Sequence, residues 1–397
     1  MKNTPEIRFK GFTDAWVQRR LGEVADIVRG ASPRPIQDPK WFDDNSDIGW
    51  LRISDVTEQN GRIYYLDQKI SEAGQSKTRV LTEPHLLLSI AATIGRPVIN
   101  YIKTGVHDGF LIFLNPKFEQ EFMFQWFEMF RLQWQQYGQP GSQVNLNSDL
   151  VKTQEILLPL SEEQTSIGNF FHILDDTILL YKRKLDSLKQ LKKAYLQQMF
   201  PQEREAVPRI RFSGFKGDWR EYILEHYFKE RSERSSVGEL ISVTINYGVM
   251  KADELDRQII SSEDKSNYKI VKVGDIAYNS MRMWQGASGY SSYDGILSPA
   301  YTVLTPNSNT YSQFFAYLFK RLDMIQIFQR NSQGLTSDTW NLKFSAFSQI
   351  KVRAPLYEEQ IMTADFFKKL DFKITKYSKK IEQLQRLKSA YLQKMFV

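Results

Sequence analysis

The stretch Ser161–Phe200, SEEQTSIGNFFHILDDTILLYKRKLDSLKQLKKAYLQQMF, returns near the end of the chain as Tyr357–Phe396, YEEQIMTADFFKKLDFKITKYSKKIEQLQRLKSAYLQKMF. Aligned without a gap at an offset of 196, the copies agree at 19 of 40 positions. Unrelated segments agree at only a few, so this is an internal repeat, and any fold must accommodate the same long element twice. A second pair of landmarks, PEIRFKGFTDAW (Pro5–Trp16) and PRIRFSGFKGDW (Pro208–Trp219), recurs at an offset of 203. The chain is therefore two tandem halves, about 1–203 and 204–397. The offset falls by seven between the landmarks, so the first half carries seven extra residues in its middle. The ends of the halves are alike and the middles differ, as when one frame holds two variable inserts.

Each repeated stretch reads as a helix. Phe171, Leu174, Ile178, Tyr181, Leu185 and Leu188 alternate steps of three and four, as do Phe367, Leu370, Ile374, Tyr377, Ile381 and Leu384. That spacing lays one apolar seam along each helix, the pattern of a coiled coil. Beyond Leu188 and Leu384 the apolar residues run through Leu191, Tyr195 and Met199, and through Leu387, Tyr391 and Met395. The seam is expected to drift there, leaving a face for another chain near Tyr195 and Tyr391. Ser161 with Glu163 and Gln164 has the form of a capping box. About 39 residues rising 1.5 Å each make a rod of roughly 58 Å. An inert scaffold or a dimerisation coil would carry this pattern, and so would a spacer between two domains. With both copies in one chain, the favoured arrangement is antiparallel pairing with each other.

The middle of the first half reads as short strands: Ile48–Val56, Gly61–Leu66, His85–Ala92, Arg96–Ile102 and Gly109–Leu114. Turn residues separate them. Phe118–Tyr137 has helical apolar spacing, the loop Gly138–Asp149 follows, and Thr153–Leu160 is a last strand. In the second half, strands are expected in Tyr268–Ser280 and Tyr301–Pro306, a helix over Ser312–Asn331, a polar loop over Asn331–Asn341 and a strand over Gln349–Pro355. The fold class is α+β, with two mixed α/β domains, each followed by a long helix.

Of 397 residues, 42% are hydrophobic and 25% charged, which suits two filled cores. There is no cysteine, so disulfides and thiolate metal sites are excluded, in keeping with a reducing, cytoplasmic setting. No run of apolar residues is long enough to span a membrane. The formal charge of +7 fits a polyanionic partner without requiring one.

A search for catalytic chemistry comes back empty. No Walker phosphate loop or HExxH occurs, and His85, His107, His172 and His226 lack ligand spacing. NPKF (Asn115–Phe118) lacks the second proline of the amino-methyltransferase motif and reads as a turn. No metal, cofactor or catalytic residue is expected. The polar loops point to recognition instead. In the first half they offer Arg29, Ser32, Arg34, Thr93, Arg96, Ser142, Gln143 and Asn145. In the second they offer Arg231, Arg234, Asn246, Tyr247, Asn279, Arg282, Gln333 and Thr336. Arginine reads guanine and asparagine or glutamine reads adenine through paired hydrogen bonds, while hydroxyls and cations hold phosphate. Taken singly, each such residue is more simply read as a solvated loop residue, and it is two such sets in matched positions that point to recognition.

Taken together, the motifs resemble the specificity subunits of type I restriction–modification systems. PEIRFKGFTDAW and PRIRFSGFKGDW are similar to the openings of the two domains of such subunits. LPLSEEQ (Leu158–Gln164) and APLYEEQ (Ala354–Gln360) are similar to their strand-to-helix junctions, and AYLQQMF and AYLQKMF to their helix ends. The resemblance covers essentially the full chain. It implies target recognition domains at 1–160 and 204–356, a central helix at 161–203 and a C-terminal helix at 357–397. Each domain would read half of a bipartite, asymmetric site in double-stranded DNA, and the helices would set the gap. The same helices would dock two methyltransferase subunits, which bind S-adenosylmethionine, and restriction–translocase subunits would complete the complex. The other class of function compatible with the pattern is a coiled-coil adaptor whose end domains bind protein.

Overall fold

The computed structural model describes residues 3–91, 94–136, 146–202, 205–255 and 264–397. The long helices form as the periodicity requires, over Ser161–Gln198 and Tyr357–Met395. By packing, the chain groups into Met1–Lys182 with Lys379–Val397, and Arg183–Ser378. The four consecutive segments 1–160, 161–203, 204–356 and 357–397 thus regroup, and each unit takes part of both long helices. The division falls after Lys182 in one helix and after Ser378 in the other, equivalent positions at the repeat offset.

In the first unit a five-stranded sheet has the order Asp26–Arg29, Phe110–Leu114, Leu86–Ser89, Pro97–Asn100, Arg62–Ile63. The last pair runs parallel and the others antiparallel. Its central strands are buried on both faces, which is why they read as continuous apolar runs. A three-stranded sheet joins Gly49–Trp50, Thr104–Val106 and Arg79–Leu81. The helix Gln120–Gln136 presents buried Phe122, Met123, Phe124, Trp126, Phe127 and Trp134.

The second unit holds a four-stranded sheet, Phe228–Glu230, Tyr301–Pro306, Ile276–Asn279, Ser288–Tyr290, and two antiparallel strand pairs. These are Ile241–Thr244 with Gly248–Lys251 and Lys269–Val271 with Gly295–Leu297. In both units a strand just after the opening motif pairs antiparallel with the strand just before the long helix: Val17–Arg20 with Glu155–Leu158, and Arg220–Ile223 with Lys351–Ala354.

Some expectations need correction. Within Ile48–Val56 only Gly49–Trp50 is strand, and Ile53–Glu58 is helix. Asp55 accepts from the Arg52 backbone and guanidinium at its start, a local bond that favours a helix entry over an extended run. The loop expected up to Asp149 gives way at Ser148 to a helix, Ser148–Thr153, capped by Asn147. The single helix expected over Ser312–Asn331 is two, Ser312–Leu318 and Leu322–Asn331.

The long helices pair antiparallel within each unit. In the first, the Phe171 and Phe396 rings lie 6.0 Å apart and Phe170 and Tyr391 5.3 Å apart. In the second, Phe200 meets Phe367 at 6.0 Å and Tyr195 meets Phe366 at 4.9 Å. Phe171, Leu174, Ile178, Phe367, Leu370, Ile381 and Leu384 are buried, and Tyr181, Leu185, Leu188, Ile374 and Tyr377 half-buried.

The expected drift of the seam does not occur. Leu191 and Leu387 are exposed, and the inward position is taken by Lys192 and Lys388. Leu188, Lys192, Tyr195, Met199 continue the four–three alternation without a break, as do Leu384, Lys388, Tyr391, Met395. A lysine can occupy a seam position when its ammonium finds a carboxylate. Lys192 Nζ lies 2.5 Å from Asp371 and Lys388 Nζ 2.5 Å from Asp175. Tyr195 and Tyr391 are accordingly half-buried in the chain's own core, not free ends awaiting a partner. Exposed apolar residues of the helices include Ile173, Leu180, Leu191, Met362, Phe372 and Leu387.

Candidate nucleic-acid interface

Each unit is fastened by the motifs that recur in the sequence. The fully buried carboxylate of Glu163 takes both Arg8 nitrogens, at 2.6 and 2.7 Å, and the Trp16 indole N–H at 3.2 Å. In the second unit Glu359 takes Arg211 at 2.7 and 2.8 Å and the Trp219 indole at 3.3 Å. A forked guanidinium on a carboxylate is directional, so the pair fixes the opening segment against the helix start. The arginines' pKa values are raised, chiefly by the hydrogen bond to glutamate. Gln164 accepts the Glu119 N–H at 2.9 Å and donates to the Pro159 carbonyl, and Gln360 does the same with Tyr311 and Pro355. The EEQ motif is therefore a tertiary clamp, not a capping box: Ser161 turns to Glu119 instead.

The first unit adds a buried network with no counterpart among the described residues of the second. Arg62 is bound by Glu121 at 2.7 Å and Asp175 at 3.1 Å, and Gln125 and Lys388 complete the Asp175 shell. Burial alone would push the Asp175 carboxyl up; Lys388 and Arg62 more than offset it and hold the group below the usual range. Asp371, in the equivalent place, meets Lys192 and the Tyr317 hydroxyl among the described residues and is far more exposed.

On this frame sit the candidate DNA-contacting residues. Arg29, Ser32 and Arg34 converge on Asp108. Arg29 Nε donates to its carbonyl at 2.6 Å, and Ser32 Oγ and Arg34 Nη2 donate to its carboxylate at 2.7 and 2.6 Å. Burial raises the Asp108 pKa, but the Ser32 hydrogen bond and the Arg34 and Arg29 charges lower it further, and the net direction is down. The loop is thus ordered by its own polar groups while the Arg34 side chain stays 74% exposed. Arg96 is half-buried and donates to Asn60 at 3.1 Å; burial, then the Arg131 charge, depresses its pKa. Thr93, Ser142, Gln143 and Asn145 lie outside the described residues.

In the second unit Arg231 is committed elsewhere. It forks onto Asp275 at 2.8 and 2.9 Å, also binds Glu233, and its side chain is only 11% exposed. Arg234 is exposed and donates to Asn267. Asn246 and Tyr247 form the exposed turn between the strands Ile241–Thr244 and Gly248–Lys251. Asn279 and Arg282 line one cleft of about 320 Å³ with Tyr268, Tyr301 and Ser242. Arg282 is exposed, and Asn279 spends its amide oxygen on the Met281 N–H. Gln333 and Thr336 lie in an exposed loop closed by the Gln333–Asn341 backbone bridge. That loop meets the Arg282 turn through Trp284 and Trp340, whose rings stand 5.1 Å apart at 81°.

Sequence reading missed Asp108, Arg62, Glu121 and the seam lysines. Only the lysines carried a signal, since Lys192 recurs as Lys388 just as Asp175 recurs as Asp371. Among the described residues no cluster of His, Cys, Asp or Glu could hold a metal ion, and no helix is long and apolar enough to cross a membrane.

The architecture resembles that of solved structures. A crystal structure of a type I restriction–modification S subunit from M. genitalium aligns over 99% of each chain, with a TM-score of 0.64 and 15% identity. A structure reported on complex assembly and conformational transition of the type I R-M system aligns over 96% of this chain and 97% of that one, with a TM-score of 0.50 and 15% identity. At such identities the likeness concerns the fold. The model of the type I restriction modification DNA specificity domain matches residues 13–190 and again 218–386. With that domain matched twice over most of its length, the chain belongs to the family of type I restriction–modification specificity subunits.

Proposed function

We propose that this chain is the non-catalytic specificity component of a cytoplasmic complex and reads a bipartite, asymmetric site in double-stranded DNA. Residues 1–160 and 204–356 are the two recognition parts. The helices at 161–203 and 357–397 space them and dock two methyltransferase subunits, which would bring S-adenosylmethionine; restriction–translocase subunits would join that assembly. One observation carries the reading. The clamps are equivalent residue for residue in the two units, yet the loops they support carry different polar groupings: Arg29, Ser32 and Arg34 gathered on Asp108 in one, Tyr247, Asn279 and Arg282 in the other. Equal frames with unlike reading surfaces suit two different half-sites.

The docking face fits the exposed apolar residues of the helices, with Phe372 at 69% exposure among Lys368, Lys369, Lys373 and Lys376. Methylation mapping in cells that express this chain with its methyltransferase partner tests the reading. Two short, unlike half-sites separated by unspecified bases are expected, and one continuous site would overturn it. Duplex binding by the complex should also weaken steeply with salt, about 0.9 log units per log unit of salt for each phosphate held. A protein-binding adaptor would show no such dependence.

A further inference from the structure

The second unit holds a half-buried lysine that the clamps do not use. Lys320 follows the helix Ser312–Leu318, and its Nζ donates to the Ile245 carbonyl at 2.8 Å and the Gly286 carbonyl at 2.6 Å. Those carbonyls belong to two separate turns. Ile245 begins the turn that exposes Asn246 and Tyr247, the latter 74% exposed. Gly286 ends the short 3-10 helix Met283–Gln285 that follows Arg282, in a left-handed conformation (φ 83°) that a side chain would strain. The strands that follow these turns, Ser288–Tyr290 and Gly248–Lys251, also pack directly. A Cβ on Gly289 would come within 2.9 Å of the Gly248 Cα, so the backbones leave no room for one.

An ammonium has three N–H donors in a compact head, which lets one side chain bridge two carbonyls that no hydrogen bond joins to each other. Burial, followed by the nearby charge of Lys192, pulls the Lys320 pKa down to about 8. Withdrawing a cation from water is costly, and here it ties the bases of two turns whose tips are exposed and polar.

We propose that Lys320 is the positioning residue for the second recognition part, holding the Asn246–Tyr247 and Arg282 turns in one register so that discrimination at one half-site depends on it. The proposal rests on the reading of these turns as DNA-contacting. It touches no base itself and acts through Tyr247 and Arg282.

The test uses the full chain in complex with its methyltransferase partner and the duplex that methylation mapping defines. Competition is measured against duplexes altered in one half-site at a time. Lys320→Met should lower discrimination at one half-site by about tenfold, the worth of one well-placed base contact, and leave the other unchanged. Lys320→Arg, which keeps two donors, should restore it to within about threefold of the parent. If Lys320→Met does not fold, Lys320→Gln, with an uncharged donor, is read in the same way. Unchanged discrimination at both half-sites overturns the proposal, as does an equal loss at both. Failure of the functional reading is distinct: the parent complex itself would then show no half-site discrimination.

Discussion

Asp108 shows how a surface loop can be ordered by its own polar groups. Its carboxylate gathers Ser32 and Arg34, and its carbonyl gathers Arg29. Its folded pKa is depressed, so its contribution to loop order is present above the unfolded carboxylate value of about 3.9 and lost as pH falls through the lower folded value. Neutral and mildly acidic solutions should leave the loop intact. Asp108→Asn should release Arg34 while sparing the Arg29 bond, which uses the backbone. Specific binding through the first unit is then expected to fall and non-specific duplex affinity to hold or rise, measured by competition against random-sequence DNA. Side chains such as these were legible only as types. The loop sequence marks Arg29, Arg34, Arg231 and Arg282 alike as candidate readers. Three-dimensional partners separate them, because Asp275 lies 44 residues from Arg231 and nothing local announces that it will take its guanidinium.

The paired helices were the most legible part of the chain, since a seam sustained over many turns has few other solutions. What the pattern hid was polar. Lys192 and Lys388 sit where the alternation calls for apolar residues, and an apolar count passes over them. Glu163 and Gln164 have the spacing of a capping box, yet tertiary partners outcompete the local bond. The two seam lysines also differ in setting, and that difference has a measurable consequence. Asp175 and Lys388 are 7% and 16% exposed, with Arg62 and Gln125 also on the carboxylate. Asp371 and Lys192 are 39% and 25% exposed. Removing one partner of a buried pair typically costs about 3 kcal/mol or more, whereas exposed pairs are worth under about 1 kcal/mol. Lys388→Met should therefore destabilise the first unit by roughly 3 kcal/mol, and Lys192→Met the second by roughly 1 kcal/mol. Urea unfolding followed by hydrogen exchange in each unit checks the ranking; equal losses would mean the Arg62 network adds nothing.

The division of the chain at Lys182 and Ser378 says where its length can be changed. Both helices run unbroken through these points. An insertion inside Asp186–Lys193 would displace Lys192 from Leu188 and break the second unit's own contacts. Insertions after Lys182 and after Ser378 leave the contacts of each unit internally intact. They must be made together, because the helices are antiparallel and each segment added to one needs its match in the other. Their length matters too. Four residues would act as a stutter and shift the phase of the seam, whereas seven restore it, since the alternation repeats every seven. Seven residues add about 10.5 Å of helix, close to the rise of three base pairs at about 3.4 Å each. If the helices set the gap, the doubly extended chain should methylate a target whose half-sites are unchanged and whose gap is about three base pairs longer. The same half-sites at the parent gap would show that the helices do not measure it. Altered half-sites at either gap would show that the recognition parts depend on more than their own units.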